Sequence, residues 1–105
     1  MTDELKQKIP RLYEQEKNPD PIVHVKYFAL GSHWTWYATE FDGVDILFGW
    51  CEGDHPELGY FSLKELESIK WGSIPRIERD IYFDPCPLSS IPSYRERQAQ
   101  LDKHK

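Results

Sequence analysis

Two groups of side chains in this 105-residue sequence have the types and spacing to do chemistry. Glu40, Asp42 and Asp45 place three carboxylates within six residues, the hard oxygen donors that Mg²⁺ takes. Cys51 and His55 bracket the string CEGDH, with His24 and His33 on or beside neighbouring predicted strands. Zinc takes Cys and His at such close spacings, but a structural site usually has four protein ligands. A single C-x3-H pair lacks a second ligand pair and reads as an ordinary surface loop, so the sequence calls for no metal and no cofactor. The carboxylates in turn lack an accompanying general base or Lys. Asp42 also falls in a predicted turn, where Asp is favoured for backbone reasons. No Ser-His-Asp order, Gly-rich phosphate loop or H-E-x-x-H string is present. No catalytic residue is assigned. A small metal-dependent enzyme using the carboxylates of 40–55 and His55 is kept as the second reading.

The leading reading comes from charge and aromatics. Residues 27–63 contain no Lys or Arg, yet they hold Glu40, Asp42, Asp45, Glu52, Asp54 and Glu57. A phosphate-binding surface needs clustered cations, so direct nucleic-acid binding is not expected there. Tyr37, Phe48 and Trp50 share a predicted face, with Phe28 nearby and Lys26 and His24 at its side. Such a face is either core beneath a helix or a protein-binding patch, because interface centres favour Tyr, Trp and Phe. The expectation is a non-enzymatic protein-interaction module. It presents the acids of 40–57 and the aromatics Tyr37, Phe48 and Trp50 to the basic surface of an unidentified protein.

These residues must be positioned by a hairpin. Segments 34–41 and 44–51 read as strands joined by Asp42-Gly43, the dipeptide of two-residue type I′ turns. That turn sets Phe41 opposite Val44, Thr39 opposite Ile46, Tyr37 opposite Phe48 and Glu40 opposite Asp45. Like charges directly opposite destabilise a ribbon, so the acid pair needs a mate. Arg79, on the strand face of Ile77, Ile81 and Phe83, is the expected one.

Around the hairpin, 22–30, 58–61 and 76–83 read as further strands. Ser62 and Glu65 form a capping box for a helix striped by Leu63, Leu66 and Ile69, with Gly72 past its end. Leu5, Ile9, Leu12 and Tyr13 recur at helical spacing with Thr2 as N-cap, interrupted at Pro10. Ser93 and Glu96 suggest a second capping box opening a polar C-terminal helix. The fold class is α+β: an antiparallel sheet of four or five strands, one packed helix and peripheral terminal helices. A single domain, 1–105, is expected, with a helical segment 1–20, a sheet-plus-helix core 21–85 and a polar helix 93–105.

Cys51 and Cys86 stand 35 positions apart in no CxxC unit and are expected to be free thiols in a reducing compartment. No apolar run approaches the roughly 20 residues that cross a bilayer. The acidic start Met1-Thr2-Asp3-Glu4 lacks the basic and apolar regions of a signal peptide. No membrane association and a cytoplasmic location are expected.

The strings PIVHVKYF (21–28), WTWYATEFDG (34–43), ELGYFSLKELES (57–68) and IPRIERDIYFDP (74–85) resemble a family of small proteins catalogued as domain of unknown function (DUF) 2958. The resemblance implies a setting in bacteria, phages or mobile elements. It implies no reaction, cofactor or catalytic residue.

Overall fold

The computed structural model describes residues 1–103. In chain order the elements are α1 (Asp3–Lys8), β1 (Ile22–Val23), β2 (Val25–Ala29), β3 (Thr35–Phe41), β4 (Ile46–Glu52), β5 (Glu57–Ser62), α2 (Leu63–Ser68), β6 (Lys70–Trp71), β7 (Ile74–Pro75), β8 (Ile77–Arg79), β9 (Cys86–Pro87), a 3-10 turn (Leu88–Ser90) and α3 (Pro92–Lys103). The architecture is α+β. Five antiparallel strands in the order β5-β4-β3-β2-β8 form the sheet, flanked by two-stranded pieces β1-β9 and β6-β7. No helix among the described residues is long and apolar enough to cross a membrane.

Each sheet face carries its own core. On one, Val25, Tyr27, Ala38, Phe41 and Leu47 pack beneath Leu63 and Leu66 of α2, with Ile9 from the end of α1. On the other, Val23, Tyr37 and Trp50 pack beneath Leu88 and Ile91, with Phe83 and Tyr94 at the margin. α2 is started as its sequence predicts: the Ser62 hydroxyl accepts from the Glu65 amide at 3.2 Å. Thr2 caps α1 in the same way, accepting from the Leu5 amide. Pro10 follows the helix end at Ile9.

The central hairpin departs from the two-residue turn. Thr35 pairs with Glu52, Tyr37 with Trp50 and Ala38 with Gly49; after a bulge at Thr39, Glu40 pairs with Phe48 and Phe41 with Leu47. The connection is the longer loop 42–45. Its geometry is set by Asp42, whose Oδ1 accepts from the amides of Val44, Asp45 and Ile46 at 2.8, 2.7 and 3.0 Å. One carboxylate oxygen ties down three successive amides, a stronger local device than an Asp-Gly turn. Tyr37 and Phe48 share a face but are not partners, and Glu40 and Asp45 are not opposed.

The bulge reverses the alternation inside β3. Tyr37 faces the α3 side and Ala38 the α2 side, but Phe41 then joins the α2-side core. Glu40 is consequently delivered to the α3-side face, beside its partner Phe48. Gly49 permits this: a Cβ there would lie 1.8 Å from the Tyr37 carbonyl oxygen. Thr39 is 2% exposed and donates its hydroxyl to the Phe48 carbonyl at 3.2 Å.

Three further expectations are corrected. The last sheet strand stops at Arg79, because Asp80 turns the chain: its Oδ1 accepts from the Tyr82 amide, leaving Ile81 and Tyr82 outside the sheet. Gly72, at φ 62°, is the turn of the short β6–β7 hairpin. Ser93 does not cap α3, since the Arg95 amide donates to the Ile91 carbonyl and puts Pro92 at the first helical position. Ser93 faces the sheet instead, accepting from Trp50 Nε1 at 2.8 Å and donating to Glu52. Residues 104 and 105 of the predicted tail helix lie outside the described residues.

Candidate functional site

The α3-side face opens into a groove of about 350 Å³ where the N-terminal loop crosses β4 and β5. Its floor is Glu40, brought there by the bulge at Thr39. Glu40 is 5% exposed. Its Oε1 accepts from the Tyr13 amide at 3.0 Å and its Oε2 from the Gln15 amide at 2.7 Å. The Gln15 side chain continues the clamp, donating to the carbonyls of Ile22 and Thr39 and accepting from the Ile22 amide. The loop thus turns around a single carboxylate. The turn holds Tyr13 at φ +72°, the only non-glycine residue in that region among those described. A backbone held in this way by surrounding hydrogen bonds is a mark of many binding sites.

The walls are aromatic. Tyr13 is 63% exposed and Tyr60 56% exposed, and the Tyr60 hydroxyl donates to that of Tyr13 at 3.3 Å. Phe48 lies against Tyr60 with ring centroids 4.9 Å apart, and exposed Leu58 precedes them on β5. Glu16 stands at the rim, and among the described residues no Lys or Arg lines the groove. The Tyr60 phenol is pushed above its ordinary value, first by its hydrogen bond to Tyr13, with the Glu40 and Glu16 carboxylates contributing in the same direction.

The six predicted acids separate into structural and outward-facing groups. Asp42 holds the hairpin loop. Burial raises its pKa, but the three amides outweigh it and leave the carboxyl below the usual range. Asp45 accepts from the Lys64 amide and the Ser62 hydroxyl, both at 2.7 Å, so it finishes the cap of α2; those bonds hold its carboxyl below the usual range. Glu52 binds Ser93. Asp54 lies 3.7 Å from His33, and Glu57 is exposed at the start of β5. Of the predicted aromatics, Tyr37 and Trp50 are core and Phe48 is half-buried in the groove wall.

Arg79 is not the mate of Glu40 or Asp45. It pairs across β2·β8 with Tyr27, on the α2-side face, whereas Glu40 points to the other face. Both acids are instead satisfied by backbone amides and a hydroxyl. The bulge at Thr39, which strict alternation along β3 does not show, moves Glu40 across the sheet.

Nor do the carboxylates of 40–55 converge. Among the described residues no three of His, Cys, Asp and Glu come together in a way that could hold a metal. Burial, helped by Glu57, pushes the Cys51 thiol up to about 11, so at neutral pH it is not a thiolate nucleophile. Cys51 and Cys86 are both free.

Sequence reasoning missed Tyr13, Glu16, Leu58 and Tyr60 as groove residues. The signal available was the surplus of large apolar and aromatic side chains on a six-residue edge strand and on a segment already interrupted by Pro10.

Residues 1–101 match the family described as protein of unknown function (DUF2958). The chain belongs to that family. No curated protein and no solved structure matches it.

Proposed function

We propose that this member of the family is a non-enzymatic protein-interaction module whose aromatic groove receives a basic segment of a partner protein. The observation that carries the reading is the groove lining: Tyr13, Phe48, Leu58 and Tyr60 with Glu16 and Glu40, and no cation among the described residues. A Lys or Arg side chain entering there would lie on tyrosine faces, a cation–π contact worth about 0.5–2 kcal/mol, beside the Glu16 carboxylate at the rim. Its aliphatic stem would cover Leu58 and Phe48. Glu57 pairs with Cys51 while Leu58 pairs with Trp50, so Glu57 is presented on the other face of β5, and Glu16 is the acid at the groove rim. The acids Glu40, Asp42, Asp45 and Glu52 serve the fold, so the presented surface is narrower than the whole 40–57 segment.

In a phage or mobile-element setting the partner class is a host protein with a basic nucleic-acid groove, such as a defence protein, met in the cytoplasm. Affinity capture from a bacterial host, followed by titration calorimetry with the purified partner, tests the reading. Tyr60→Ala with Leu58→Ala, and separately Glu16→Lys, alter exposed side chains and should leave the fold intact. Each variant should weaken binding at least tenfold, and the charge reversal should also reduce its salt dependence. Unchanged binding by both variants would place the interface elsewhere.

A further inference from the structure

The opposite face of the sheet has an opening of different chemistry. A pocket of about 400 Å³ lies between the strand end at Ala29, the Trp34–Trp36 pair and the segment Ile69–Ile77. Its walls are apolar: Ala29, Trp36, Ile69 and Ile77, with Trp34 at the rim. Trp34 and Trp36 stack with centroids 5.8 Å apart and planes 28° apart. Trp34 is fixed in that pose by Gly53, where a Cβ would fall 2.2 Å from the ring.

Among the described residues one charged side chain lines the pocket, Arg76, and no carboxylate does. In a chain with 18 Asp and Glu against 13 Lys and Arg, that is a local reversal of sign. The Arg76 guanidinium stands 4.4 Å over the Trp71 ring. Trp71 belongs to the β6–β7 hairpin and reaches Gly31, lying 3.3 Å from where a Cβ would be. Arg76 Nε is enclosed and has no hydrogen-bond partner, and the side chain forms no ion pair among the described residues. A guanidinium presents five donors in a fixed fork that matches a carboxylate. Here stacking on Trp71 orients the guanidinium, and because Nε is enclosed, its terminal Nη groups are the donors left to meet a ligand.

We propose that this pocket binds a small amphipathic anion: an apolar or aromatic body carrying a carboxylate. The body fills the space between Trp34, Trp36 and Ile77, and the carboxylate meets Arg76. An apolar pocket with a few placed polar groups is the usual form of a small-molecule site, and a desolvated Arg–carboxylate pair is among the stronger oriented contacts. This assignment is independent of the groove on the other face.

Heteronuclear NMR titration of the whole chain with octanoate and with 3-phenylpropionate tests it, the two acids separating aliphatic from aromatic bodies. Octylamine and 3-phenylpropylamine serve as matched cations. At least one acid should give saturable shifts at the indole N–H groups of Trp34 and Trp36 and at Arg76 Nε–H, binding at least tenfold tighter than its amine. Arg76→Gln should remove that preference, and Arg76→Lys should retain part of it. Equal binding of acid and amine by the native protein, no saturable shift with either acid, or shifts confined to other residues would each overturn the proposal. The comparison of acid with amine needs no variant, so it decides the matter even where Arg76→Gln fails to fold.

Discussion

On the α2 side of the sheet, Phe41, Leu47, Tyr27 and Val25 meet Leu63 and Leu66 from a helix only a few residues downstream of its strand. On the α3 side, Tyr37 and Trp50 meet Leu88 and Ile91, about 40 residues away, and the margin is closed by polar bonds: Glu40 to the N-terminal loop, Trp50 and Glu52 to Ser93. The first face is built from apolar contacts, some of which (Ile9, Val25 and Tyr27 to α2) are as distant in sequence as those of the second. The second is assembled from three distant segments held by oriented hydrogen bonds. The difference shows in their openings. The α3-side groove has its central carboxylate already occupied by amides, whereas the α2-side pocket keeps a guanidinium with no acceptor. Charge near an opening therefore indicates a ligand only when the fold has not already satisfied it.

The contrast is broken most severely at the bulge, which assigns residues to faces. Gly49→Ala would drive a methyl into the Tyr37 carbonyl, and backbone there cannot move without shifting the β3–β4 register. A loss of about 4 kcal/mol or more is expected in denaturant unfolding. With total stability of about 5–15 kcal/mol for a domain of this size, the variant should be marginal. A loss under about 1 kcal/mol would show that the bulge is not a fixed feature.

Glu40→Ala tests whether the carboxylate is structural. It would leave the Tyr13 and Gln15 amides without acceptors, at roughly 1–3 kcal/mol each when fully buried. These bonds are partly buried, so the expected cost is about 3 kcal/mol in all. Hydrogen exchange should show faster exchange in residues 11–17 before any change in α2. Glu40→Gln, which keeps one acceptor oxygen, should fall between the two. An equal effect of Ala and Gln would mean that charge rather than hydrogen bonding holds the loop.

The same pair of faces explains how much was legible in the sequence. The α2 cap, the Thr2 cap and the helix break at Pro10 follow from contacts within a few residues, and Ser62, Thr2 and Pro10 announce them by type. Strict alternation, by contrast, puts Glu40 on the Ala38 face, and one extra residue in β3 moves it to the other side. Asp42 was read as a turn residue because of Gly43, although its side chain collects three amides in a longer loop. Ser93 looked like a cap because Glu96 follows at the right spacing. Its real partners, Trp50 and Glu52, are more than 40 residues away and leave no local trace. The groove and the Arg76 pocket are both made by such long-range juxtapositions.

A smaller effect should come from that Ser93 junction. Ser93→Ala removes the acceptor of Trp50 Nε1 and the donor to Glu52. The expected cost is about 1 kcal/mol, with faster amide exchange through the first turns of α3 and an unchanged α2. Protection of α3 equal to wild type would show that Ile91 and Tyr94 dock it without the hydrogen bonds.

The finest test compares one tyrosine from each face. Tyr27 lies on the α2 side with its hydroxyl buried and without a hydrogen-bond partner among the described residues, and Tyr37 lies on the α3 side. Burial pushes both phenols up to about 12, with the nearby Arg79 pulling Tyr27 down and Glu52 adding to the rise at Tyr37. At neutral pH an enclosed hydroxyl without a partner is unfavourable relative to a phenylalanine of nearly the same shape. Tyr27→Phe should therefore be neutral or stabilise by about 0.5–1 kcal/mol, an uncommon direction for a core substitution. In the unfolded chain both phenols titrate near 10. Between pH 10 and 12 the folded state retains protons that the unfolded state has lost, so stability falls as pH rises through that window. Each Phe variant should remove part of the alkaline decline, while only Tyr27→Phe should gain at pH 7. A loss above 1 kcal/mol for Tyr27→Phe at pH 7 would mean that its hydroxyl has a bonding partner, with Arg79 the nearest cation. The α2 face would then be closed by a polar bond as well, and the contrast between the faces would be one of degree.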